Sequence, residues 1–93
     1  MNKLTDVEIR HSLQQLPGWT LEGGMLILQC TFKDFVAAMA FVNDVAQLAE
    51  AAGHHPDIDI RYNRVRLALV THDSGGLTSK DVNLAQKINN LGH

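Results

Sequence analysis

A single cysteine, Cys30, cannot close a disulfide within this chain, so burial and hydrogen bonding must hold the fold. One unpaired thiol fits a reducing, cytoplasmic setting. Neither sign of charge dominates: eight Lys and Arg stand against ten Asp and Glu, a formal net charge of -2. With no long basic run either, nothing favours nucleic acid as a direct partner. No apolar run approaches the roughly 20 residues that a bilayer span needs, and the N-terminus lacks the apolar core of an export signal. Low-complexity segments and linkers are missing as well. What remains is one domain over 1–93, large enough for a single core but with little surplus stability, and with no membrane partner.

Helix and strand signals alternate along the chain. Leu4-Thr5-Asp6-Val7-Glu8 is a helix start, in which Thr5 can cap, Glu8 stands at the capping-box position and Leu4 can staple to Ile9. Ile9, Leu13 and Leu16 recur at helical spacing until Pro17-Gly18 stops the run; His11 within it reads as a surface or packed residue. Gly23-Gly24 then predicts a tight hairpin. Its second strand is apolar on both faces, which places it inside a sheet or at a subunit contact. Cys30 lies on that strand with no basic cluster beside it, and reads as packing. From about residue 33 to 52, Phe35, Ala38, Met39, Val42, Val45, Ala46 and Ala49 follow the helical period, with Asn43, Asp44, Gln47 and Glu50 between them and Gly53 as the stop. Residues 77–82 repeat the grammar of the first helix: Thr78 caps, Asp81 takes the capping-box position and Leu77 staples to Val82.

A second hairpin precedes that last helix. Ile58, Ile60 and Tyr62 alternate with Asp57, Asp59 and Arg61, and Val65, Leu67 and Leu69 alternate with Arg66, Ala68 and Val70. A two-residue turn at Asn63-Arg64 would pair Tyr62 with Val65, Ile60 with Leu67 and Ile58 with Leu69, apolar against apolar on one face. The same register, extended, sets His55 opposite His72, seventeen residues further on. The element order is αββαββα, an α+β class in which helices pack on one face of an antiparallel sheet.

Chemistry concentrates between Glu50 and Asp81. Adjacent histidines before a proline are unusual, and Pro56 pushes His55 into extended backbone, so His54 and His55 are presented from a fixed segment. Imidazole exchanges a proton near neutral pH without special tuning. Several imidazoles around one pocket, with Glu50 and Asp81 near, suit a reaction that needs both an acid and a base. Competing readings are weighed beside this one. The histidines can serve as caps, turns or packing. Zinc would need ligands this chain does not arrange: no cysteine pair and no HExxH helix are present, and adjacent histidines rarely bind one ion together. Asp81 is a cap by position. Tyr62 is as easily core as a stacking surface; Arg61, Arg64 and Arg66 are most simply solvated strand charges, with an anion as the alternative; Gly75-Gly76 is a turn.

Taken together, Glu50, His54-His55-Pro56, Tyr62, His72 and Asp81 match the spaced pattern of a known family, and Phe32-Lys33-Asp34-Phe35, Tyr62-Asn63-Arg64-Val65 and Thr71-His72-Asp73 with Gly75-Gly76-Leu77-Thr78 resemble its flanks. The chain resembles the pterin-4a-carbinolamine dehydratases, some of which double in animals as a dimerisation cofactor for a homeodomain transcription factor. The resemblance implies a four-stranded antiparallel sheet in an αββαββα fold, assembled as a homodimer or homotetramer. It also implies dehydration of 4a-hydroxytetrahydropterin to quinonoid dihydropterin, without metal or bound cofactor, serving an aromatic amino acid hydroxylase. By resemblance, His54, His55 and His72 are the acid–base and pterin-orienting residues, with His54 acting on the leaving hydroxyl. Glu50, Pro56 and Asp81 then contact the pterin or orient imidazoles. Ile58 departs from relatives that carry an aromatic shortly after His-His-Pro. The alternative function is a protein-binding or assembly role on the same fold, with a regulatory protein as partner.

Overall fold

The computed structural model describes residues 2–92, so both ends of the expected 1–93 domain lie outside it. Its elements are α1 (Asp6–Gln14), β1 (Trp19–Glu22), β2 (Met25–Thr31), α2 (Phe35–Ala52), β3 (Asp57–Arg61), β4 (Arg64–Leu69) and α3 (Ser79–Asn89). The order is the αββαββα expected, and the strands form one antiparallel sheet in the order β1-β2-β4-β3. Leu26, Leu28, Val65, Leu67 and Leu69 turn one sheet face towards Leu16 before β1, Phe41, Val42 and Val45 of α2, and Leu84 and Ile88 of α3. On the opposite face Gln29, Thr31, Asp59, Arg61 and Arg64 meet solvent. The helices therefore cover one side only.

Local chemistry sets the ends of these elements. In α1 the Thr5 hydroxyl accepts from Glu8 N–H while the Glu8 carboxylate accepts from Thr5 N–H at 2.8 Å, and Thr78 and Asp81 repeat the arrangement in α3. Gly23 and Gly24 hold φ of 57° and 78°, the left-handed angles that let Glu22 pair with Met25 across a two-residue turn. β2 is interior, as its apolar faces require, and Cys30 packs against the core.

The second hairpin departs from expectation by one step in its turn. Tyr62-Asn63 forms the turn, so Arg61 pairs with Arg64, Ile60 with Val65 and Ile58 with Leu67. Moving the centre by one residue shifts each partner by two, so the same residues stay on the same face. The cause lies outside the hairpin. Asn63 Nδ2 donates to Phe32 O and Phe32 N–H donates to Asn63 O, both at 2.8 Å, which ties Asn63 to the β2–α2 junction as a turn residue. Tyr62 is left at φ 53° and largely exposed, neither core nor strand. β4 ends at Leu69, and His72 belongs to a short 3-10 turn, His72–Ser74, rather than to a strand opposite His55.

α2 also differs in detail. Ala38, Phe41, Val42, Val45 and Ala49 are buried, whereas Phe35, expected on the apolar stripe, is 48% exposed. At 18 residues and a mean hydropathy of 1.2, the helix has the bare length and composition of a bilayer span, more than its interrupted apolar runs suggested. Asn43, Asp44, Gln47 and Glu50 interrupt it, and its buried stripe packs into the same core as the sheet, as in a core helix.

Candidate functional site

The site begins where α2 stops. Gly53 takes a left-handed φ of 62°, its N–H donating to Glu50 O and the His54 N–H donating to Ala49 O. This pair of bonds is a Schellman closure, and it fixes the direction in which the next residues leave the helix. His54 then turns inward and is 12% exposed, with Nε2 2.5 Å from Asp81 Oδ1. His55 turns outward, with Nε2 2.9 Å from Glu50 Oε2, and both partners are well exposed. Neighbouring imidazoles thus have one carboxylate each, one pair buried and one solvated. Pro56 is half-buried and leads into β3.

Asp81 is fully buried. A carboxylate taken out of water is costly unless its oxygens are bonded, and here they are. Oδ1 faces His54, while Oδ2 accepts from the Thr71 hydroxyl at 2.8 Å and from Thr78 N–H at 2.9 Å. The capping-box role foreseen for Asp81 is real, but one carboxylate both caps α3 and holds an imidazole.

The three histidines meet in an open cleft of about 280 Å³, bordered also by Thr71, Asp73 and Lys80. Asp81 partners His54 and Glu50 partners His55. His55 and His72 share the cleft without facing one another in a strand register. Sequence reasoning gave no site role to Thr71, Asp73 or Lys80. Thr71 and Asp73 flank His72, and Lys80 precedes Asp81, so adjacency to site residues was the available signal. A separate concavity of about 210 Å³ lies towards the open sheet face beside Arg61, Arg64 and Arg66, where Arg61 Nε donates to Asp59 at 3.2 Å. Among the described residues no three His, Cys, Asp or Glu side chains converge as a metal site would require. The cleft can donate and accept protons at several points around a small ligand.

Comparison with known proteins agrees over nearly all of the chain. The family described as pterin 4 alpha carbinolamine dehydratase matches residues 2–91. A protein of Acidobacterium capsulatum is 60% identical over 91 residues, which is 98% of this chain and 99% of that one. One of Chloroflexus aurantiacus is 57% identical over 91 residues, 98% of each. Both are named as candidate pterin-4-alpha-carbinolamine dehydratases. A crystal structure from Brucella melitensis, described as a transcriptional coactivator/pterin dehydratase, superposes with a TM-score of 0.94 at 35% identity, covering 99% of this chain and 100% of that one. A pterin dehydratase-like protein identified as a RuBisCO assembly factor in the alpha-carboxysome gives a TM-score of 0.69 at 25% identity, covering 80% of this chain and 88% of its own.

Proposed function

The chain belongs to the pterin 4 alpha carbinolamine dehydratase family, and from that premise we propose that it dehydrates 4a-hydroxytetrahydropterin to quinonoid dihydropterin in the cytoplasm, as a single domain. One observation carries the reading: His54, His55 and His72, from two separate segments, border a single cleft, and two of them are paired to carboxylates. At about 280 Å³ the cleft lies just below the usual range of ligand pockets, a size suited to a compact heterocycle.

The reaction breaks the C4a–O bond and the N5–H bond and forms the C4a=N5 double bond, releasing water. An acid must protonate the departing hydroxyl, and a base must take the N5 proton. His54 acts on the hydroxyl, oriented by Asp81. His55 and His72 bind the pterin or relay the N5 proton, with Glu50 orienting His55. Pro56 keeps the paired histidines in extended backbone. The elimination changes no oxidation state overall and proceeds without metal or bound cofactor. Quinonoid dihydropterin would then return to the pool that serves an aromatic amino acid hydroxylase.

The test is turnover of enzymatically generated 4a-hydroxytetrahydropterin with chelator present. His54→Ala should lower the rate by about a hundredfold or more, the scale of losing a general acid–base group, with the fold intact by circular dichroism. Wild-type turnover no faster than the uncatalysed background would remove the enzyme reading.

A second reading, as a binding or assembly protein, draws on a different observation. Phe35 and Val36 on α2, Ile58 and Ile60 on β3, and Tyr62 are among the large apolar side chains left exposed, and a surface built from them would suit protein contact. We propose that a homodimer or homotetramer covers part of it. A regulatory protein is the other partner this surface fits.

A further inference from the structure

We propose that Thr71 is a positioning residue: its hydroxyl fixes the Asp81 carboxylate, which holds His54 as the Nε2–H tautomer with Nδ1 open to the cleft. The kinetic part of this proposal rests on the dehydratase reading; the structural part does not.

The direction of each hydrogen bond follows from the carboxylate. The Thr71 hydroxyl donates to Asp81 Oδ2 at 2.8 Å. That hydroxyl has one proton. The Thr78 hydroxyl, 2.8 Å from Thr71 Oγ1, must therefore donate to it. Thr78 Oγ1 accepts in turn from Lys80 N–H at 3.3 Å. A one-way chain of donors thus runs from the first turn of α3 through two threonines to Oδ2. The Thr78 N–H also ends there, at 2.9 Å. With Oδ2 supplied twice from within the protein, Oδ1 is left to His54 Nε2 at 2.5 Å.

A ring nitrogen facing a carboxylate oxygen carries a proton, and in neutral imidazole the other nitrogen is then bare. Asp81 holds Nε2 of His54, and no buried side-chain nitrogen or oxygen among the described residues lacks a partner. His54 borders the cleft, and Nδ1, the ring nitrogen that Asp81 does not hold, is the one left for it. The atom available to the substrate is Nδ1: bare, it first takes the proton that leaves N5, relayed by His55 or His72, and the imidazolium so formed then gives that proton to the departing hydroxyl. Thr71 is itself held at both ends: its N–H donates to Gly76 O at 3.1 Å, and Gly76 N–H donates to Thr71 O at 3.4 Å. These bonds close the loop that carries His72, so Thr71 links the turn presenting one histidine to the carboxylate orienting another.

Two readouts test this in the full chain. Long-range 1H–15N correlation spectra report the His54 tautomer, and steady-state kinetics separate kcat from KM. The wild type should show Nε2–H with bare Nδ1. Thr71→Val should mix or reverse the tautomers and lower kcat by about 10–100-fold, the scale of one charge-assisted hydrogen bond, with KM held within about twofold. Thr71→Ser should restore both. If Thr71→Val does not fold, Thr71→Ala carries the same readouts. Unchanged tautomer and kcat in the variant, a wild-type His54 bare at Nε2, or a rise in KM with kcat intact would each overturn the proposal. If the wild type shows no turnover, the dehydratase reading falls, and the spectra alone still decide whether Thr71 sets the tautomer.

Discussion

At the scale of single residues, Asp81 shows what spacing can and cannot reveal. Its place three residues after Thr78 marks it as a cap in the sequence. Its complete burial, and its grip on an imidazole 27 residues away, depend on where α2 ends and how the His72 loop closes. Removing it strands a hydroxyl, a backbone N–H and an imidazole at once. Asp81→Ala should therefore cost about 2–4 kcal/mol, a lost cap plus buried donors left unpaired, measured by urea unfolding. A loss near 0.5 kcal/mol would mean that water replaces the carboxylate and that the buried network contributes little. Cys30 makes a second point. Burial pushes its thiol up from the usual range, so less thiolate is present at a given pH. Alkylation at pH 8 should be slow in the native protein and accelerate on adding urea; native and unfolded rates that agree would refute it.

At the scale of elements, helix starts and the glycine turn were legible because the signals are local: a threonine, its partner three residues on, and two adjacent glycines. The β3–β4 turn was not, because apolar alternation is satisfied equally by two registers that differ by two residues. Bonds from Asn63 to Phe32, 31 positions away, choose between them. Tyr62→Gly distinguishes the two. With Tyr62 at φ 53° in the turn, glycine relieves left-handed strain and should stabilise the protein by about 0.5–1 kcal/mol. A Tyr62 packed opposite Val65 would instead lose about 3–5 kcal/mol, as large-to-small core changes do. The first capping box yields a pH prediction. Bonding from the Thr5 backbone N–H, then its hydroxyl, holds the Glu8 carboxyl below the usual range, against a small opposing effect of burial. A depressed folded value contributes stability above the unfolded glutamate range and loses it as pH falls through the folded value. The stability gap between wild type and Glu8→Gln should thus narrow from pH 7 to pH 3; a gap independent of pH would show that the charge plays no part.

At the scale of the whole molecule, α2 is the element whose surroundings are incomplete. One side packs into the core, and only 28% of its residues are buried. The other side carries Phe35, Val36, Ala40 and Ala46 into solvent among Asn43, Gln47 and Glu50, so the solvent face of this helix is part apolar where an amphipathic helix ordinarily turns charged and polar residues outward. Sequence patterning saw the periodic stripe and not this second side, since small residues fit either environment and only the sheet's one-sided cover shows which positions stay open. A second copy of the chain is the simplest cover, so sedimentation at micromolar concentration should give a dimer or tetramer mass. Val36→Glu, at a position 75% exposed, should shift that mass towards the monomer. The same variant separates assembly from chemistry. Val36 lies in the first turn of α2 and His54 follows its last, a helix length of about 27 Å away. If the cleft is complete within one chain, the dissociated variant should retain dehydratase turnover. Loss of turnover together with loss of mass, at unchanged circular dichroism, would instead mean that a neighbouring copy completes the site.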